Sequence, residues 1–130
     1  MAPVGSVDVE LLLIGWLQER LPDVVVRDEL DNNLAAELPT VQVQRVGGDD
    51  DGLRLDRALV DVDVYAASRA EAITLSAAIR GLLLAARGSA TTTAVLGRVG
   101  TISAPVARPY ENTSLRRVGA TYEIYCHPVS

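Results

Sequence analysis

Apolar residues recur at helical spacing in two segments of this chain and at alternate positions in several others. In "SVDVELLLIGWLQERL", Val9, Leu12, Leu13, Trp16 and Leu17 fall on one side of a helix. Ser6 is placed to cap it, Asp8 and Glu10 suit its first turn, and Arg20 suits its last. Pro22 stops continuation. The second helix opens on "SRAE", where Ser68 and Glu71 form a capping box. Ala72, Leu75, Ile79, Leu82 and Leu83 then make an apolar stripe, and Gly88 marks the stop.

Strand patterns fill most of the rest. "DVVVR" reads as a short strand, and "DELDNNLAAELP" as irregular chain with one helical turn. "TVQVQRV" alternates, with Val41 and Val43 on one face and Gln42 and Gln44 on the other. "LDRALVDVDVYAA" alternates again, placing Val60, Val62 and Val64 opposite Asp61, Asp63 and Tyr65. The Gly/Asp-rich segment between these runs predicts an antiparallel hairpin with a projecting, mobile loop at about residues 46–55. "TTTAVLGRVGTISAPVARP" reads as two short strands or one bent one. The last strand sets Val118, Ala120, Tyr122, Ile124 and Cys126 against Thr121, Glu123, Tyr125 and His127. Residues 1–130 therefore form one α+β domain: a mostly antiparallel sheet with two helices on one face.

Composition refines this picture. The chain is 48% hydrophobic yet only 4% aromatic, with no Phe, so Val, Leu, Ala and Ile must build the core. All twelve basic residues are Arg. The lone Cys126 precludes an internal disulfide, and reads as a small core residue. No signal peptide or membrane span is legible, so a soluble protein of the cytoplasm is expected. The net charge of −5 argues against general nucleic-acid binding. Residues 1–65 carry fourteen acids and five Arg, whereas residues 66–130 carry three acids and seven Arg. This asymmetry would suit head-to-tail contact between identical copies, unless the fold interleaves the two halves.

Candidate chemistry is sparse. Asp49, Asp50 and Asp51 are consecutive, lack the alternate spacing of a calcium loop, and have no terminal Glu. They read as a solvated tip and not a metal site. Asp61 and Asp63 share a strand face about 7 Å apart, a surface for solvent or a neighbouring subunit. Cys126 and His127 point to opposite faces and make no dyad. No phosphate-binding glycine loop is present, so no cofactor is expected. Arg116 and Arg117 are an anion patch, a solvated strand start or an interface charge. A small enzyme or ligand-binding domain would need convergent polar groups that the sequence does not offer.

The order and spacing of these segments resemble the tail terminator proteins of long-tailed bacteriophages. The resemblance rests on "VDVELLLIGWLQERL", "LPTVQVQRVGG", "RLDRALVDVDVYAASRAEAITLSAAIRGLL" and "ISAPVARPYENTSLRRVGATYEIYCH". It implies a non-enzymatic virion protein of the neck, assembled in the host cytoplasm as a homo-hexameric ring. Such a ring caps the tail tube, ends its polymerisation and meets the head-side connector or stopper protein, while DNA passes through without specific binding. Another neck protein, a connector or stopper, is the nearest alternative. On this reading Asp49, Asp50, Asp51, Arg54 and Arg57 are contact residues of the hairpin loop. Asp61, Asp63 and Tyr65 would belong to a subunit face.

Overall fold

A computed structural model of the chain describes residues 6–129. The first helix, α1, spans Val9–Arg20. Its cap is Asp8 and not Ser6: the Asp8 carboxylate accepts the Leu11 N–H at 3.1 Å. A carboxylate there also meets the positive end of the helix dipole. Val9, Leu13 and Leu17 are buried, with Leu12 and Trp16 half-buried beside them.

The short strand β1, Val25–Arg27, follows. Gln18 of α1 fixes it in place. Its amide donates to the Leu21 and Val24 carbonyls at 3.1 and 2.7 Å, and its oxygen accepts the Val26 N–H at 3.2 Å. After a 3₁₀ turn at Leu34–Ala36 and a cis Leu38–Pro39 bond come β2, Thr40–Asp50, and β3, Asp56–Ala66. Helix α2 spans Arg69–Ala85, with Ser68 accepting the Glu71 N–H at 3.2 Å. Gly88 at φ +76° turns the chain out of the helix. The segment read as two strands or one bent one is a single strand, β4, Ala94–Arg108. Three register shifts against β5, Arg116–Pro128, let it bend.

The five strands lie in the order β1-β2-β3-β5-β4. Only β1 and β2 run parallel; the other pairs are antiparallel. Both helices cover one face, as the sequence implied. Val41, Val43, Val60, Val62, Val64, Val118, Ala120 and Ile124 meet Leu13, Leu17, Ile79 and Leu83 in one core. Trp16 joins the helices, since its indole donates to the Leu82 carbonyl at 3.1 Å while the Arg20 guanidinium lies 3.3 Å from its ring centre. A smaller cluster of Leu34, Tyr65 and Leu115 lies apart from this core, under the segments around residues 30–38 and 110–115.

The hairpin departs from expectation. The ladder does not stop at Gly47 but continues through Gly48, Asp49 and Asp50, so the loop is only residues 51–55. The glycines serve the ladder. Val46 is bulged out, and Gly48 sits at φ +124° where a Cβ would overlap the Arg57 carbonyl oxygen.

Cys126 lies in the core, and burial pushes its thiol pKa up to about 11. The thiolate is the reactive form. The folded protein should therefore resist iodoacetamide at pH 8 and become alkylated only with global unfolding. Alkylation in native buffer as fast as that of the urea-unfolded chain would show that this end of β5 opens locally.

Candidate assembly surfaces

Strand alternation dictates what stands on the face away from the helices. With Val60, Val62 and Val64 turned inward, Asp61, Asp63 and Tyr65 must turn outward. They are not left for solvent. Asp63 is only 2% exposed and holds Arg108 at 3.1 Å and Arg117 at 3.0 Å. Asp61 accepts from the Thr121 hydroxyl and lies 3.7 Å from Arg108. Gly119 makes this cluster possible, because a Cβ there would overlap the Asp63 carboxylate and crowd the Arg108 guanidinium.

Tyr65 is equally enclosed. Its hydroxyl meets the Gln42 side-chain oxygen at 3.3 Å, and its ring packs edge-on against Tyr110 with centroids 5.1 Å apart. Burial raises its pKa to about 12. Asp63 and Tyr65, singled out from the sequence as a subunit face, are thus occupied within their own chain. Their partners Arg108, Gln42 and Tyr110 come from other strands and loops, and only the alternation of Gln42 hinted at them.

Further along the same face, Arg57 donates to Glu123 at 3.1 Å and lies 3.6 Å from Asp49. On the helix-covered face, Arg45 holds the buried Asp56 through two bonds of 2.7 and 2.8 Å. The Arg45 N–H, at the bulge, finds the Glu10 carboxylate of α1 at 2.7 Å. A helix side chain here takes the place of a strand partner.

The hairpin tip is organised by its own acids. The Asp51 carboxylate accepts the N–H groups of Leu53, Arg54 and Leu55 at 2.9, 2.9 and 3.0 Å. Asp50 accepts the Gly52 N–H at 2.8 Å. Those backbone bonds, led by that of Leu53, hold the Asp51 carboxyl below the usual aspartate range. Arg54 ties the tip to the Pro128 carbonyl at the end of β5. Arg54 thus holds the loop against the end of the sheet. The loop presents Leu53, 79% exposed, beside the exposed Asp49. Sequence reading missed Leu53, although an apolar residue inside a polar turn was the available signal. Among the described residues no group of three or more His, Cys, Asp or Glu could hold a metal ion. No helix there is long and apolar enough to cross a membrane.

What remains is a compact scaffold whose polar side chains mostly pair with each other, and whose unspent features are an ordered tip and charged edges. That is the make-up of a subunit that works by contact. A family model described as phage tail termination protein matches residues 5–128. The chain belongs to this family; it is a structural component of a phage tail and not an enzyme. Among curated proteins none matches it. A solved structure of the virion of a native gene transfer agent particle contains a chain of the same fold. The TM-score is 0.60 at 17% identity, over 94% of this chain and 87% of that one.

Two outcomes follow. Gly119→Ala should lower stability by about 1–3 kcal/mol in urea unfolding, by displacing the Asp63 ion pairs; a neutral result would mean that the cluster repacks freely. Asp51→Ala should speed amide exchange at Leu53, Arg54 and Leu55, whereas Asp49→Ala should not. In the wild type, the lowered pKa makes the Asp51 contribution complete above about pH 4 and lost as pH falls through the lower folded-state value. Exchange at these three amides should rise over that range, once corrected for the intrinsic pH dependence.

Proposed function

We propose that this chain is the tail terminator itself, forming a homo-hexameric ring that caps the tail tube, ends its growth and meets the head-side connector in the neck. The supporting observation is how the sheet order distributes charge. Because the strands run β1-β2-β3-β5-β4, the two halves of the chain are not interleaved. One edge is built from α1, β1 and β2, within residues 6–50, which hold ten acids and three Arg. The opposite edge is built from α2 and β4, within residues 67–108, which hold five Arg and one acid. A subunit with unlike edges suits heterologous, head-to-tail contact, which closes into a ring when the rotation permits.

The hairpin tip then serves as an axial contact with the tube or the connector. Asp49 and Leu53 face the partner. Asp50 and Asp51 shape the loop, while Arg54 and Arg57 anchor it to the sheet. An acidic ring also lets DNA pass without adhering, since like charge repels the phosphates.

Mass by light scattering, with and without purified tail-tube protein, tests this reading. A hexamer-sized species, alone or only with tube, is expected. A strict monomer indifferent to the tube would sink it, and a different ring order that binds connector but not tube would favour another neck protein. Leu53→Asp should weaken tube or connector capture at least tenfold while leaving the ring mass unchanged; unaltered capture would remove the tip from the contact.

A further inference from the structure

On the face away from the helices, one row of charged side chains crosses four strands with alternating sign. Asp49 on β2 lies 3.6 Å from Arg57 on β3, Arg57 lies 3.1 Å from Glu123 on β5, and Glu123 lies 3.9 Å from Arg98 on β4. The inner members are enclosed, with the Arg57 and Glu123 side chains 30% and 12% exposed. The end members are not: Asp49 and Arg98 are 70% and 72% exposed. The row thus closes in an acid at one edge of the sheet and a guanidinium at the other. Each end has its counter-charge on the inner side and an open outer side.

The two ends stand at one height. Asp49 is level with Arg57, and Arg57 with Tyr125, which faces the bulge of β4 that holds Gly97 and Arg98. A second matched pair lies three residues back along β2. Arg45, Val60, Tyr122 and Thr101 form one ladder row; Val46 is bulged out beside Arg45, and Ile102 beside Thr101. Both are exposed, and each stands about one residue rise, ~3.3 Å, from that row. β1 pairs only with Thr40, Val41 and Gln42, so at these heights β2 is itself the outer strand, as β4 is on the other side. Copies related by rotation about an axis parallel to the strands keep every residue at its height, and edges matched in this way meet.

We propose that the charged row continues from copy to copy: Arg98 pairs with Asp49 of a second copy, and Ile102 packs against that copy's Val46. The inference rests on the ring reading above and names its interface. The row itself selects Asp49, because a copy added head to tail extends the alternation of sign with no like charges in contact. An exposed ion pair adds little affinity, so it sets register and excludes wrong partners while apolar burial at Val46 and Ile102 supplies attraction. The contact runs through side chains and not through strand pairing. Pro105 and three register shifts interrupt β4, while the bulge at Val46 and the Glu10 bond interrupt β2. Asp49 then stands at the corner between the ring neighbour and the axial partner that Leu53 faces.

The test uses the full chain and two single charge reversals. Asp49→Arg and Arg98→Glu should each lower assembly at least tenfold by light scattering, alone or on the tube, because like charges then meet at every contact. An equimolar mixture of the two variants should regain the ring, since copies that alternate bring unlike charges together at every contact. Ile102→Asp should also weaken assembly at least tenfold. Circular dichroism and thermal unfolding establish that each variant folds. If either reversal assembles like wild type, the inference falls and the ring reading stands; if both abolish assembly and the mixture does not recover it, the pairing is wrong. Rings of wild-type mass that no longer capture tube would give the ends of the row to the tube and overturn the proposal. Wild type that never assembles removes both.

Discussion

The strict alternation of β3 is the constraint on which the rest depends. Packing Val60, Val62 and Val64 beneath two helices fixes Asp61 and Asp63 on the opposite face of a central strand. A carboxylate as enclosed as Asp63 is costly unless paired and hydrogen-bonded. Arg117 from β5 and Arg108 from β4 converge on it, and Gly119 leaves the space they need. The register of three strands is thus specified twice, by apolar contacts on one face and by ion pairs on the other. A slip by one residue would break both sets together.

Much of this was legible in the chain. Alternating valines located β2 and β3, and the Ser68–Glu71 pattern located the start of α2. The burial of Cys126 and the coverage of one sheet face by both helices also followed from side-chain periodicity. Errors arose where a residue's local meaning and its tertiary role diverge. Ser6 and Asp8 are equally good caps by type, and the helix start decides between them. Gly47 and Gly48 look like a loop, yet they serve a bulged ladder. Asp63 looks like a surface acid because its partners lie 45 and 54 residues away. No local pattern announces such pairings.

The charge asymmetry of the two halves acquires meaning only from strand order. Had β4 lain beside β1, the arginines and acids would have mixed on one edge. The observed order keeps them on opposite edges of the five-stranded sheet, with three strands between. The opposite polarity of the edges is therefore a property of topology as much as of composition.

The interruptions along the outer strands bear on the protein's life before assembly. Subunits of a virus are made in many copies and wait together in a crowded cell. An uninterrupted outer strand as long as β4 would invite its neighbours to add on indefinitely, towards amyloid-like stacks. Pro105, the shifted registers and the bulge at Val46 deny such growth a template. A population of subunits is thus offered no continuous exposed backbone on which to stack.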